Sequence, residues 1–263
     1  GPGARSRQKL LVGPWSHWGL YIRDQGQLRF PVNTPDVELH LCARCHDRRS
    51  VADPNSSHGL EPHSPETKLL VGESGWIPPG SDLSFGSIFM THGSEANQKL
   101  CATCHVASYT VTDEATGEFE FQAVGHTFEA APCVDESGIP NGETGCALTA
   151  EARSFAGCVD SGCHSSQDAA ASLLNVRATF IDERADELLA QLLIVDPNLD
   201  EPGGEIDATV PTFTVAEGAY FNWALANHGG EVYGSTTHNA PWIRALLAAS
   251  SVAVEDEYGV GIP

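Results

Sequence analysis

The distribution of apolar positions divides the chain into two textures. From Asp168 onward they recur at helical spacing, over 169–174 and then over 180–195, where Leu188, Leu189, Leu192 and Leu193 share a stripe. Pro197 and Pro202-Gly203-Gly204 interrupt the series. Two more helices are expected at 215–227 and 241–252, the last with Trp242, Leu246 and Leu247 on one face. Before Asp168 the pattern is looser. Residues 1–35 alternate in short pieces, such as Leu20-Tyr21-Ile22 and Leu28-Arg29-Phe30, which predicts short strands or extended chain with a turn at Gly26. Asp36 fits the cap of a short helix. Residues 50–87 carry Pro54, Pro62, Pro65, Pro78 and Pro79 and read as irregular loop. Residues 106–111 and 119–124 read as two strands joined by a turn over 113–117. The expectation is a mostly irregular, loop-rich fold with a few α-helices and a short β-hairpin. It comprises a loop-rich region over 1–167 and a helical region over 168–263, together one compact unit.

Composition narrows the setting. A hydrophobic content of 41% allows a protein core. The charge is lopsided, with 35 acidic residues against 14 basic and a formal net charge of −21; the only lysines are Lys9, Lys68 and Lys99. Such a surface repels nucleic acid and anionic lipid and favours solubility. No apolar run approaches the roughly 18 residues that span a bilayer, so no membrane span is expected. None follows Gly1-Pro2-Gly3-Ala4-Arg5 either, and the sequence is read as a mature form.

The cysteines supply the chemistry. Cys42-Ala43-Arg44-Cys45-His46 and Cys101-Ala102-Thr103-Cys104-His105 have the spacing of c-type haem attachment. Each thiol adds across one vinyl group, so the two sulfurs must stand a short turn apart. The histidine that follows, His46 or His105, is then placed under the iron as its proximal ligand. A stretched version, Cys158-Val159-Asp160-Ser161-Gly162-Cys163-His164, puts four residues between the thiols and assigns His164 to a third haem. Three covalently attached c-type haems are therefore expected, supplying apolar surface that loop-rich chain could not bury alone. Paired cysteines also suit tetrahedral zinc, but the histidine directly after each pair favours haem. Attachment is carried out after export, where the remaining pair, Cys133 and Cys146, is expected to oxidise to a disulfide; two free thiols are the alternative.

Eight further histidines are available as second axial ligands: His17, His40, His58, His63, His92, His126, His228 and His238. Three stand in distinctive contexts. His92 precedes the second signature, His126 lies in Gly125-His126-Thr127-Phe128, and His238 opens His238-Asn239-Ala240-Pro241-Trp242-Ile243-Arg244-Ala245-Leu246-Leu247. These segments, with Ala219-Tyr220-Phe221-Asn222-Trp223, resemble those of the large multihaem c-type cytochromes, in scattered pieces over 36–252. The resemblance implies a fold organised around stacked haems, with His92, His126 and His238 as distal ligands. Met90 is the only methionine, so at most one iron would take a thioether.

Histidine on both faces of an iron favours electron transfer over ligand activation, and no enzymatic activity is expected. The resemblance extends to extracellular cytochromes that polymerise into filaments. It implies a secreted or cell-surface homo-polymer, with His17 reaching a neighbouring subunit and with redox proteins or extracellular acceptors as partners. A periplasmic electron shuttle is the alternative. A multihaem reductase would need an open iron, often marked by lysine in place of the proximal histidine, and none of the signatures ends in lysine.

Overall fold

Regular structure appears where the sequence is periodic, and irregular chain where proline and glycine gather. The structure is a computed structural model. It describes residues 22–23, 27–28, 42–53, 61–94, 96–97, 99–112, 115–124, 129–199, 212–230 and 232–262. Strands Ile22–Arg23 (β1) and Gln27–Leu28 (β2) pair antiparallel, with Ile22 opposite Leu28. A 3-10 turn at Cys42–Arg44 is followed by the helix Glu66–Leu70 (α1), a second 3-10 turn at Thr91–Gly93, and the helix Cys101–His105 (α2). Ser108–Thr112 (β3) and Phe119–Val124 (β4) pair antiparallel, with a register shift between Val111 and Thr112. Four helices complete the order: Ala156–Asp160 (α3), Gln167–Val195 (α4), Val215–Ala226 (α5) and Tyr233–Tyr258 (α6). Among the described residues no helix is long and apolar enough to cross a membrane.

Two helices run further than their apolar periodicity indicates. The stretch between the two stripes of α4 contains neither glycine nor proline, and Ala178 within it is buried, so one helix of 29 residues forms. Helix α6 begins upstream of Pro241 and survives it by kinking, with Asn239 leaving helical geometry at φ −162°, ψ 73°. Helix α5 starts at a reciprocal capping box: the Glu217 amide donates to the Thr214 hydroxyl at 3.2 Å and the Thr214 amide to the Glu217 carboxylate at 2.8 Å.

The chain divides into two compact units, 1–98 with 178–263 and 99–177. In the first, Leu188 and Leu192 of α4, Ala219 and Leu225 of α5, and Trp242 and Leu246 of α6 are buried together. The irregular segment 61–94 belongs to this unit and has no ladder to satisfy its backbone. Side chains do so alongside local backbone bonds, such as that from the Gly86 amide to the Gly72 carbonyl at 2.8 Å. The Asn222 amide group accepts from the Trp76 N–H at 2.8 Å and donates to the Trp76 carbonyl at 2.8 Å and the Ser250 hydroxyl at 2.9 Å. Asn239 donates to the carbonyls of Leu69 at 3.1 Å and Ile88 at 3.0 Å. The Trp242 indole N–H donates to the Ser74 carbonyl at 2.9 Å. Gly218 lets this segment approach, because a Cβ there would lie 2.2 Å from the Trp76 ring.

The second unit is held by a smaller core and a covalent link. Phe155, Ala170 and Ala171 are buried together, with Leu148 and Leu174 packed against them. Cys133 and Cys146 are bonded at 2.00 Å, so the two cysteines left over from the signatures form the disulfide. The Arg153 guanidinium ties the same loop down, donating to the carbonyls of Ala131 at 2.9 Å and Cys146 at 3.1 Å.

Candidate haem sites

Each signature folds its histidine back onto its first cysteine. In the first, the His46 amide donates to the Cys42 carbonyl at 3.0 Å. In the second, Cys101–His105 is one α-helical turn, whose i to i−4 bond relates the same two positions. In the stretched signature, α3 ends at Asp160, Gly162 turns the chain at φ +79°, and the His164 amide donates to the Cys158 carbonyl at 3.1 Å. The two additional residues form a bend that restores the closure of a regular signature. Only the αL position demands glycine, and Gly162 supplies it. Cys42, Cys101, Cys104 and Cys158 are half-buried, and Cys45 and Cys163 exposed.

Within the second unit the second and third signatures lie against each other. A Cβ on Gly157 would stand 3.1 Å from the Cys104 Cα and from the carbonyl oxygens of Thr103 and Cys104, so α3 sits on α2 at backbone distance. The Cys104 thiol is pushed far above its ordinary range by its hydrogen bond to Cys158, by burial, and by Cys163 and Cys101 nearby. The same hydrogen bond lowers Cys158 against the opposing effect of burial.

The first unit gathers histidines around a carboxylate. His46 Nδ1 lies 3.1 Å from Glu66 Oε2, and His228 Nε2 lies 3.4 Å from Glu66 Oε1. Burial opposes ionisation of Glu66. Hydrogen bonds from His228, its own backbone amide and His46, with His238 close by, outweigh burial and hold the carboxyl at about 2. An ionised carboxylate only accepts, so His46 donates through Nδ1, which in the neutral ring leaves the lone pair on Nε2.

His92 and His238 are arranged in the same sense. His92, in the turn Thr91–Gly93, donates through Nδ1 to the Thr237 carbonyl at 2.7 Å. His238, on α6, donates through Nδ1 to the Gly234 carbonyl at 2.7 Å. In each neutral ring Nε2 is then the lone-pair nitrogen, the usual arrangement when a histidine ligates a metal through the other nitrogen. The donor set fits c-type haem in kind: three cysteine pairs, a histidine closed onto the first cysteine of each, and the His92 and His238 imidazoles held through Nδ1 on backbone carbonyls. Of the remaining histidines, His63 is exposed and makes a backbone bridge to Arg48. His126, expected as a distal ligand, lies outside the described residues, as do His17, His40 and His58. Among the described residues, no group of three or more His, Cys, Asp or Glu side chains is placed to hold a metal ion.

Glu66 and the Thr237 carbonyl were not legible as site groups. Glu66 is one of 35 acidic residues, and nothing in its local sequence marks it. Pro241 was the available signal for Thr237, since a proline within a helix withholds a donor from the carbonyl four residues earlier. No protein-family model matches the chain, and neither a curated protein nor a solved structure matches it.

Proposed function

We propose that the chain is an electron-transfer protein carrying three covalently attached c-type haems, each iron held between two histidines. The observation that carries this reading is the common closure of the signatures. The regular signature at Cys42 and the stretched one at Cys158 both return the histidine amide to the first cysteine's carbonyl. When bound, the haem iron supplies one-electron chemistry by changing between its ferric and ferrous states. The chain does the rest. Cys42 and Cys45, Cys101 and Cys104, and Cys158 and Cys163 would hold the porphyrins, and His46, His105 and His164 would bind from the proximal side. His92 and His238, with Nδ1 on backbone carbonyls, and His126 are the proposed distal ligands. Two nitrogen donors per iron leave no coordination position for substrate, which favours a carrier over an enzyme.

The acidic surface, the histidine surplus and the long irregular segments support a secreted or cell-surface role as a subunit of a polymeric filament. The partners would be redox proteins or extracellular acceptors. A soluble periplasmic shuttle is the second reading, favoured by the self-contained helical core around Trp242 and Leu246. Mass determination of the mature protein tests the cofactor reading: three haems and one disulfide are expected, and pigment extracted by acidified acetone would refute covalent attachment. Electron micrographs of the purified protein then separate filament from shuttle.

A further inference from the structure

We infer that Glu66 is a positioning residue for the first haem's axial histidine: its carboxylate accepts the His46 Nδ1–H and strengthens the imidazole as a donor to iron. The inference rests on the haem reading above and deepens it for one site. An imidazole hydrogen-bonded to a carboxylate is more basic than one bonded to a neutral carbonyl, and an electron-rich axial ligand favours the ferric state. Glu66 thereby holds this centre at a lower potential than His46 would confer if bonded to a carbonyl, as His92 and His238 are.

The local backbone is built to hold this contact. The Arg48 amide donates to the Ser64 carbonyl at 3.2 Å, and the Thr67 amide to the His46 carbonyl at 3.0 Å. These two bonds flank Glu66 and fix the first turn of α1 against the first signature. The side chain is fixed as well. While Oε2 faces His46 at 3.1 Å, Oε1 faces His228 Nε2 at 3.4 Å, so both oxygens are directed by imidazoles. His228 clamps the carboxylate with the nitrogen that would otherwise offer a lone pair. Lys68, on the same helix, pairs with Glu73 at 2.9 Å. The Glu66 side chain is 28% exposed, enough burial for its charge to act on the adjacent ring with reduced screening.

Spectroelectrochemical titration of the purified three-haem protein tests this. With Glu66→Gln, one third of the α-band amplitude is expected to titrate at a higher potential while two thirds stay in place. Glu66→Asp, which keeps the charge but withdraws it from Nδ1, is expected to move the same third in the same direction. Glu73→Gln, which removes an acid from the same segment, should move nothing. A shift of all three components together, no shift at all, or the same shift in Glu73→Gln overturns the inference. If neither Glu66 variant folds, the wild-type protein decides by its EPR signals. One ferric centre displaced toward the imidazolate type supports the inference, and three indistinguishable bis-histidine centres overturn it. A chain that carries no haem refutes the underlying reading; three attached haems with unmoved potentials refute only the role of Glu66.

Discussion

His92 makes the hydrogen bond that Pro241 cannot. In an unbroken α6 the Thr237 carbonyl would accept the amide of residue 241, and proline has none. The His92 Nδ1–H donates to that carbonyl instead, at 2.7 Å. The next residue is His238, whose Nδ1 donates to the Gly234 carbonyl at the same distance of 2.7 Å. One short stretch of α6 before the kink thus orients two imidazoles, both with the lone pair on Nε2.

Pro241→Ala restores an amide that competes for the Thr237 carbonyl. A neutral hydrogen bond is worth about 1 kcal/mol, so the ratio of correctly turned to displaced His92 should fall roughly five-fold. In the haem-loaded protein a high-spin, carbon-monoxide-binding fraction should appear, with His92→Ala giving the full effect of about one third of the haem. A fully low-spin spectrum for both variants would remove His92 from the ligand set.

Asn222→Ala strips partners from the Trp76 N–H and carbonyl, in a segment with no backbone ladder of its own. Leaving buried polar groups unpaired costs about 1–3 kcal/mol each, and a total loss near 3 kcal/mol is expected. The urea midpoint of unfolding should fall at an unchanged slope. An unaltered midpoint would mean that Trp76 finds other partners.

The disulfide should contribute stability without touching cofactor content. Replacing Cys133 and Cys146 by serine opens a loop with a sequence separation of 13, which loop entropy values at about 3 kcal/mol. Three haems per chain are still expected by mass. Loss of a haem in this variant would show that the loop also supports attachment.

Deleting Ser161 and Gly162 turns the stretched signature into Cys158-Val159-Asp160-Cys163-His164. The wild-type bend already closes His164 onto Cys158 as His46 closes onto Cys42, so the shortened version should remain competent. Mass determination should again count three haems. A count of two would show that the attachment machinery reads the longer spacing itself.

The residues of the proposed site were chosen on the chain itself. The thiol pairs and His46, His105 and His164 are set by spacing within a few residues, and the leftover Cys133 and Cys146 form the bonded pair. The segment around His238 was visible too, though its internal roles were not. Asn239 and Trp242 serve the backbone of 69–88, as donors to the carbonyls of Leu69, Ile88 and Ser74. The extent of α4 was misjudged because a gap in an apolar stripe is no helix breaker when neither glycine nor proline fills it.

By itself the sequence determined what local spacing and periodicity can carry: paired cysteines a few residues apart, a histidine directly after each pair, and amphipathic stretches that fold as helices. Only the tertiary structure decided which polar groups meet. Glu66 reaches His46 and His228, His92 reaches Thr237, and Asn222 reaches Trp76 across 146 residues of chain. The physical reason is that irregular backbone and imidazole nitrogens must find hydrogen-bond partners wherever packing brings them, and packing is a property of the whole chain.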